Sequence, residues 1–242
     1  MKNVKRLCLT LVLLAGFCIP SYCTWSIIVI DPVTKEIGIA GASCTYSVYG
    51  IGAIVPGKGA IIVQAMSNPF ARMKGFKMIM ANASAKEILE AIKDPYFDPE
   101  EQQYAIICVN DLAHPHTYTG SENPTYKGAL TAKGISVQGN TLASAKELQA
   151  VLDAVKKAQK DSLPMQEVLM LALEAGAKLG GDKRCGEIKA SSAFITVAKP
   201  GDDAKKPYLN LVVYGNGEKV NAVEALRKKL NAWKAKQGKG MK

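Results

Sequence analysis

The chain has 242 residues, of which 48% are hydrophobic, and its 31 Lys and Arg exceed its 21 Asp and Glu to give a formal net charge of +10. This length and apolar content suit one large globular domain with an ordinary hydrophobic core better than two domains. The sequence contains no internal repeat, and its basic residues are not interleaved with aromatic residues that stack on bases, so we expect no nucleic-acid partner.

The first 23 residues have the layout of a secretory signal peptide. A basic start is followed by an apolar run over residues 7–19, by Pro20, and by small residues at positions 21 and 23. The run is shorter than the roughly 20 apolar residues that cross a bilayer. We therefore expect cleavage after Cys23, export to the periplasm or the extracellular space, and no integral membrane contact afterwards. A retained membrane anchor is the alternative.

Removal of this leader changes the charge and the cysteine content of the chain. The remaining 219 residues carry 28 Lys and Arg against 21 Asp and Glu, a net charge of +7, with much of the excess in the C-terminal tail. Three of the six cysteines remain, Cys44, Cys108 and Cys185. Three cysteines form at most one disulfide bond, so the sequence predicts a leftover thiol and leaves the bonded pair open.

The mature chain opens with two predicted strands, TWSIIVID and KEIGIAGAS, joined by a turn at residues 31–36. Apolar side chains occupy both faces of the first strand, which is typical of a strand covered on both sides in a layered structure. With this turn, the numbers of paired residues sum to about 67, so Thr24 lies opposite Ser43 and beside Cys44. Asp31 is then a turn residue about 20 Å along the strand from Thr24.

Blocks of strands and pairs of helices follow a glycine-rich loop over residues 50–59 and a strand that ends near Gln64. The later predicted strands are YAIICVN, HTYTG, GISVQGN, SAFITV and YLNLVVY. Five helices are predicted. The first covers residues 70–80, the next two begin at capping boxes at 84–87 and 144–147, and the fourth begins after Pro164. The last runs from about residue 219 into the basic tail that ends at 242. This order predicts an α+β fold of two stacked antiparallel sheets with helices outside.

Thr24 is the first candidate catalytic residue. At a processed N-terminus a threonine carries its own base, because the α-amino group has a pKa of about 7.7–8.0 compared with about 10.4 for lysine. Roughly a tenth of such amines are neutral at pH 7, and partial burial raises this fraction. A hydroxyl activated in this way is a nucleophile. The alternative is that Thr24 is only a small residue tolerated after a cleavage site.

Four segments carry a family resemblance, in the order TWSIIVIDPVTKEIGIAGASC, VQAMSNP, ISVQGN and GGDKRCGEIKASSAF. Together they resemble the domain of unknown function family 1028, whose fold is similar to that of N-terminal nucleophile (Ntn) hydrolases. The resemblance extends from Thr24 to about residue 213. It implies a four-layer αββα sandwich with Thr24 at the start of an inner strand, and it implies no substrate. GEIKASSAF lacks the glutamine often found ahead of Ser-Ala, so no role is assigned to Ser191 or Ser192.

Two amides at the end of the predicted strand GISVQGN are candidates for a site that binds a developing oxyanion. Such a site needs hydrogen-bond donors that are already aimed at the charge, and the amides of Gln138 and Asn140 with nearby backbone N–H groups are of this type. Asn140 is therefore the second candidate catalytic residue, and Gln138 is a candidate substrate-binding residue. The alternative is a glycine turn with Asn140 as its cap.

Four more residues are predicted to line the pocket around Thr24. Ser43 and Cys44 lie beside it in the predicted hairpin, as hydrogen-bond partners or pocket lining. Cys44 as an independent nucleophile is an alternative, although most single cysteines on strands are packed core residues. Gln64 and Asn68 flank a strand end that reaches the same rim, and Asn68-Pro69 is also a turn signal.

Asp182 and Arg184 follow the glycines of GGDKRCG at the end of a predicted helix. One interpretation pairs Asp182 with Arg184 near the pocket, where the planar guanidinium of Arg184 binds a substrate carboxylate. The alternative is a helix C-cap with glycine in the left-handed region, followed by solvated charges.

The two histidines, His114 and His116, have no nearby carboxylate or cysteine pair to complete a zinc set, so we predict a surface turn, no metal site and no cofactor. The sequence favours an exported hydrolase of the N-terminal nucleophile type that acts on an amide or related acyl bond of a small-molecule or peptide-like substrate. A homo-oligomer is left open. The alternative function is a non-catalytic ligand-binding protein of the envelope or periplasm with the same fold.

Overall fold

The computed structural model describes residues 24–217 and 220–239. The predicted signal peptide over residues 1–23 lies outside the described residues, as do residues 218–219 and the end of the basic tail, 240–242.

The described residues form ten strands and five α-helices. The strands are β1 (Thr24–Ile30), β2 (Ile37–Ser43), β3 (Gly52–Val55), β4 (Gly59–Ala65), β5 (Gln102–Cys108), β6 (His116–Thr119), β7 (Gly128–Ala132), β8 (Ile135–Asn140), β9 (Ser192–Ala198) and β10 (Leu209–Val213). The helices are α1 (Pro69–Met80), α2 (Ala85–Ile92), α3 (Glu147–Lys160), α4 (Met165–Lys178) and α5 (Ala222–Lys239).

Two antiparallel sheets stack face to face between two layers of helices. The first sheet has the order β10-β9-β2-β1-β8-β7, and the second has the order β3-β4-β5-β6. Helices α3, α4 and α5 cover the outer face of the six-stranded sheet, and α1 and α2 cover the outer face of the four-stranded sheet. Three apolar clusters fill the spaces between these layers. The predicted α+β fold with a four-layer αββα sandwich is confirmed.

The first strand occupies the middle of the six-stranded sheet, and all seven of its residues are buried. Trp25, Ile27 and Val29 pack against the helices, whereas Ile28 and Ile30 pack between the sheets. This arrangement explains why both faces of β1 are apolar, because successive side chains of a strand point to opposite faces.

The β1–β2 hairpin has the predicted register, in which Thr24 pairs with Ser43 and Ile30 pairs with Ile37. Asp31 fixes the turn, since its carboxylate accepts hydrogen bonds from the backbone N–H groups of Val33 and Thr34 at 2.8 and 2.7 Å. On its other side β1 pairs with β8, and Thr24 lies opposite Asn140. Thr24 therefore lies between the ends of two neighbouring strands.

Two local features differ from the sequence prediction. The glycine-rich region 50–59 was expected to be a loop, but Gly52 and Gly59 belong to a regular hairpin of β3 and β4. A Cβ atom on Gly59 would lie 2.6 Å from the carbonyl oxygen of Ile107, so this glycine permits close strand packing. Strand β7 was not predicted, because its five residues are half exposed and show no clear alternation.

The two predicted capping boxes have different outcomes. The Ser84 side chain accepts from the backbone N–H of Glu87 and the Glu87 carboxylate accepts from the Ser84 N–H, so the first box is confirmed. The second was wrong: α3 begins at Glu147, and the Ser144 hydroxyl accepts instead from the Lys146 N–H at 3.2 Å. Glu147 is fully buried and does not reach back to cap the helix.

No helix within residues 24–217 and 220–239 has the length and apolar character needed to span a membrane.

Candidate functional site

Thr24 lines a half-open cavity of about 290 Å³ at one end of the sandwich. Its side chain points into the space between the sheets, because Trp25 next to it points toward the helices. The other walls come from the segment after β2, the end of β4 and the first turn of α1. Hydroxyl groups dominate the lining, from Ser43, Thr45, Ser47, Tyr49 and Ser67.

Ser43 and Asn140 flank Thr24 as its direct partners on the two neighbouring strands. Directly opposed residues of antiparallel strands project on the same face of a sheet, so the three side chains form one polar group. Ser43 and Asn140 are both fully buried, and Thr24 is 3% exposed. The structure thus brings together both candidate catalytic residues, although Ser43 lines the cavity with Thr24 and Asn140 lies behind it.

A chain of hydrogen bonds crosses from the six-stranded sheet to the four-stranded sheet directly behind Thr24. The Ser136 hydroxyl donates to Gln138 Oε1 at 2.7 Å, and Gln138 Nε2 donates to the Ser26 hydroxyl at 2.6 Å. Ser26 in turn donates to Gln64 Oε1 at 2.5 Å, and Gln64 Nε2 donates to Gln103 Oε1 at 2.6 Å. All five side chains are fully or almost fully buried. Every bond runs in one direction, so neighbouring dipoles reinforce one another.

Gln103 is the branching point of this chain. Its Nε2 donates to Thr119 Oγ1 at 2.9 Å and to the carbonyl oxygens of Gly128 and Gly139 at 3.0 Å, while its Oε1 also accepts from Asn140 Nδ2 at 3.3 Å. Gln64 additionally donates to the Thr24 carbonyl oxygen at 3.3 Å. The side chains predicted to face a substrate, Gln64 and Gln138, therefore hold the main chain and the sheets around Thr24.

Asn68 serves as the N-cap of α1. Its Oδ1 accepts from the backbone N–H groups of Phe70 and Ala71 at 2.9 and 3.2 Å, and its Nδ2 donates to the carbonyl oxygen of Phe97 at 3.3 Å. These bonds satisfy helix N-terminal donors that would otherwise lack partners. The geometry supports the turn interpretation of Asn68 and places it beside the cavity wall formed by Ser67.

Asp182 and Arg184 form the predicted pair. Arg184 donates to the Asp182 carboxylate from Nη2 at 2.6 Å and from Nε at 3.1 Å, and Asp182 is fully buried whereas the Arg184 side chain is 29% exposed. The same carboxylate accepts from the backbone N–H of Cys44 at 2.5 Å. Arg184 thus neutralises the charge of the buried Asp182 carboxylate. Through its bond to the Cys44 N–H, the same carboxylate joins residues 182–184 to the end of β2.

A disulfide bond joins Cys44 to Cys185 and determines the pair that the sequence left open. The bond ties the end of β2, next to Ser43, to the segment that follows α4. Cys108 is the remaining thiol of the described residues, and burial raises its pKa to about 11. Because Cys44 is in a disulfide, it has no thiol to act as an independent nucleophile in this form of the protein.

Trp25 and Glu147 are buried beside residues 180–185, the segment that follows α4. A Cβ atom on Gly176 would lie 2.5 Å from the Trp25 indole nitrogen, and one on Gly181 would lie 2.8 Å from the far edge of the same ring. Gly180 and Gly181 have φ values of +118° and +61°, in keeping with the predicted glycine C-cap. Burial, with a smaller contribution from the Asp182 carboxylate, raises the pKa of Glu147 to about 9.

The two histidines lie away from this site. His114 Nδ1 is 2.9 Å from the carboxylate of Asp111 in an exposed turn, and His116 begins β6. Across the described residues, no group of three or more His, Cys, Asp or Glu side chains is arranged to hold a metal ion.

Sequence reasoning missed three residues of the site: Ser26, Gln103 and Arg72. Gln103 occupies a polar position on a strand face that is otherwise apolar, and Ser26 follows Thr24 on a face that continues with Ile28 and Ile30. These breaks in the apolar pattern were the available signal. Arg72 lines the cavity from α1, and no motif in the sequence distinguishes it from a surface arginine.

Comparison with known proteins gives a family and a fold. The model of a family of unknown function, DUF1028, matches residues 24–223. A crystal structure of protein SPO2555 from Silicibacter pomeroyi, a DUF1028 protein, is similar to this one with a TM-score of 0.73, at 22% sequence identity over 87% of this chain and 88% of that chain. The comparison with curated proteins gave no match. Since the family model covers most of the sequence, the chain belongs to the DUF1028 family.

Proposed function

We propose that the protein is an exported hydrolase of the N-terminal nucleophile type, in which the hydroxyl of Thr24 attacks an amide or related acyl bond. The observation that carries this proposal is the position of Thr24, which is the first residue of a central strand and lines a cavity. The family model also begins its match at residue 24. A nucleophile at this place is held from both sides by β2 and β8.

The proposed reaction needs a proton acceptor, and cleavage after Cys23 supplies one. The freed α-amine of Thr24 takes the proton of the Thr24 hydroxyl as its oxygen attacks the carbonyl carbon of the substrate. The amine, now protonated, gives this proton to the leaving amine or alcohol when the tetrahedral intermediate collapses to a Thr24 ester. Water then hydrolyses the ester by the same steps, which releases the acid and restores the hydroxyl.

The tetrahedral intermediate carries a negative oxygen that needs fixed donors. The proposed donors are the Asn140 amide and backbone N–H groups near the ends of β1, β2 and β8. The position of Asn140 opposite Thr24 supports this assignment. The hydrogen bond from Asn140 Nδ2 to Gln103 is long, at 3.3 Å, so a charged acceptor competes with it easily. A charge-assisted hydrogen bond is roughly twice as strong as a neutral one.

The rigid support of Thr24 favours a catalytic role over the alternative that Thr24 is only a small residue tolerated after a cleavage site. The Gln64 bond to the Thr24 carbonyl oxygen and the chain through Ser26, Gln103 and Gln138 fix the strand ends from within the sandwich. Catalytic groups must keep their productive geometry to within about 0.5 Å, and such supporting hydrogen bonds provide that precision.

Export is supported by the disulfide bond between Cys44 and Cys185. Structural disulfides form and persist in oxidising compartments such as the periplasm or the extracellular space, and they are rare in the cytosol. Together with the signal-peptide layout of residues 1–23, this bond favours the same compartment in which a signal peptidase would expose Thr24.

The test is hydrolysis of 4-nitrophenyl esters and 4-nitroanilides of small acids by the purified exported protein. We expect Thr24→Ala to abolish turnover while leaving the unfolding temperature within a few degrees, and Thr24→Ser to retain part of it. Thr131→Ala is the matched control, because Thr131 is exposed in the same sheet and lies on β7, away from the cavity. Turnover by Thr24→Ala equal to that of the unaltered protein would refute the mechanism.

A non-catalytic ligand-binding protein with the same fold is the second candidate function. The observation that favours it is that the described residues lining the cavity include no Lys, His, Asp or Glu to act as a separate base. This candidate predicts ligand binding that survives Thr24→Ala. It also predicts that no ester forms at Thr24 with acylating probes, which intact mass spectrometry detects.

A further inference from the structure

Arg72 lies in the first turn of α1, and its half-buried side chain lines the same cavity as Thr24. It is the one charged side chain among the described residues of this lining. The remaining walls are hydroxyl-bearing or apolar, with Val48, Ile51 and Met66 as the larger apolar members.

The guanidinium of Arg72 has little to hold it in the described part of the structure. Its Nη1 donates to the Ser67 hydroxyl at 3.4 Å, which is a long hydrogen bond, and no described carboxylate lies within 4 Å of it. The other two described arginines differ, since Arg184 and Arg227 each donate to carboxylates at 2.6 Å.

Burial of such a cation is unfavourable unless an anion compensates it. Removal from water lowers the pKa of Arg72, yet a guanidinium stays protonated at every physiological pH. A buried charge is ordinarily paired or hydrogen-bonded, and an uncompensated one costs several kcal/mol in general. An arginine that faces a cavity with one long hydrogen bond to a hydroxyl, and with no described carboxylate within 4 Å, therefore calls for an anionic ligand.

The backbone beside Arg72 is also unusual. Ala65 and Ser67 both line the cavity and have φ values of +70° and +53°, in the left-handed region that side chains other than glycine seldom adopt. Conformations of this kind cost about 1–3 kcal/mol each and cluster at ligand-binding sites, where the surrounding structure maintains them. Here they place the Ser67 hydroxyl next to the guanidinium of Arg72.

We infer that Arg72 binds a carboxylate of the substrate, so that the protein acts on small acyl compounds that carry a free carboxylate beside the bond to be cleaved. The identification of this compound as a substrate rests on the proposed function, whereas the binding of an anion by Arg72 does not. A guanidinium matches a carboxylate with two parallel hydrogen bonds. The cavity of about 290 Å³ has the volume of roughly ten water molecules, which suits a group of dipeptide size.

The anion site is tested by calorimetric titration of the purified exported protein with glutarate and with its neutral analogue glutaramide. We expect glutarate to bind at least tenfold more tightly than glutaramide, and Arg72→Gln to weaken glutarate binding at least tenfold. Arg72→Lys keeps the charge without the planar fork and is expected to fall between the two. Lys77→Gln is the control, because it removes one exposed charge from the same helix outside the cavity.

Three results would overturn the inference: no glutarate binding to the unaltered protein, equal affinity for glutarate and glutaramide, or equal glutarate affinity in folded Arg72→Gln and Lys77→Gln proteins. Thermal unfolding monitors the fold of each variant. If the Arg72→Gln protein is unfolded, the glutarate affinities of the Arg72→Lys and Lys77→Gln proteins are compared instead. Equal affinities of these two proteins would again contradict the inference.

A second pair of probes separates this inference from the proposed function. Mono-4-nitrophenyl glutarate and 4-nitrophenyl valerate differ in their terminal group, and Thr24→Ala is expected to lose hydrolysis of both while it keeps glutarate binding. Glutarate binding through Arg72 without Thr24-dependent hydrolysis would leave the anion site standing and remove the hydrolase proposal. Thr24-dependent hydrolysis with no preference for the charged ester, together with equal affinity for glutarate and glutaramide, would leave the hydrolase proposal standing and remove the anion site.

Discussion

Gln64, from the four-stranded sheet, donates a hydrogen bond across the sandwich to the backbone carbonyl oxygen of Thr24 at 3.3 Å. The same amide accepts from Ser26 and donates to Gln103, so the two sheets are joined by polar contacts immediately behind the candidate nucleophile. Most of the space between the sheets is apolar, with isoleucine and alanine side chains from both sides. The polar contacts are therefore concentrated at the end of the sandwich where the cavity lies.

Replacement of Gln103 by leucine is expected to destabilise the protein by roughly 2–4 kcal/mol. Gln103 accepts from Gln64 and Asn140 and donates to two backbone carbonyl groups, and a leucine of similar size removes all four of these hydrogen bonds. Each unsatisfied buried polar group costs about 1–3 kcal/mol. Urea unfolding followed by circular dichroism measures the change.

The control for this variant is Gln149→Leu, since Gln149 is exposed and its side chain donates to Asp153 one helical turn away. Its free energy of unfolding should change by less than about 0.5 kcal/mol, as is usual for surface substitutions. Equal stability of the Gln103→Leu protein and the control would show that the chain of amides does not hold the sheets together.

Glu147 should make stability depend on pH. Burial and the Asp182 carboxylate raise its pKa from 4.5 to about 9 in the folded protein, so between these values the folded state binds a proton that the unfolded state has released. The free energy of unfolding therefore falls as pH rises from 4.5 to 9, by up to about 1.4 kcal/mol per pH unit. Urea unfolding at pH 5, 6, 7 and 8 measures this slope.

Glu147→Gln isolates the effect, because glutamine is neutral at every pH and nearly the same size. The difference in unfolding free energy between the variant and the unaltered protein should grow in favour of the variant as pH rises. Parallel pH profiles for the two proteins would show that Glu147 titrates normally and lies in a more polar setting than the structure indicates.

Reduction of the Cys44–Cys185 bond is expected to lower stability by roughly 2–5 kcal/mol, because the bond closes a long loop with a sequence separation of 141. Thiol titration checks the pairing. The unfolded, unreduced protein that begins at Thr24 should expose one thiol, that of Cys108, and reduction should add the other two. Three thiols before reduction would contradict the bond, and with it the support that it gives to export.

Gly176→Ala is expected to destabilise the protein by up to about 2 kcal/mol, although alanine favours a helix by about 1 kcal/mol over glycine. The added Cβ would lie 2.5 Å from the Trp25 indole nitrogen, and overpacking of this kind costs about 1–3 kcal/mol. Gly238→Ala in α5 is the control, since nothing lies within 4 Å of its Cβ. Thermal unfolding of both variants decides, and a stabilised Gly176→Ala protein would show that Trp25 is packed loosely.

Local sequence signals predicted the part of the site that depends on local geometry. The turn at Asp31 set the register of one hairpin, so the pairing of Thr24 with Ser43 could be worked out from residue numbers alone. Asn140 lies more than a hundred residues further along the chain, and its pairing with Thr24 depends on which strands become neighbours in the sheet. That choice comes from packing of the whole sandwich, which periodicity within one strand does not contain.

Burial explains the remaining differences between sequence and structure. Ser144 and Glu147 have the spacing of a capping box, yet the Glu147 side chain is buried close to Asp182 and is unable to fold back onto its helix. Gln64 and Gln138 are polar residues at strand ends, where solvent or substrate contacts are common. In this protein the opposite sheet covers each of them, so their hydrogen bonds go to one another through Ser26.

The intact mass and N-terminal sequence of the exported protein test the central claim most directly. We expect a chain of 219 residues that begins with Thr24 and carries a free α-amine. A chain that begins at any other residue, or one whose Thr24 amine is blocked, would contradict it, because the hydroxyl would then lack the base on which the proposed reaction depends.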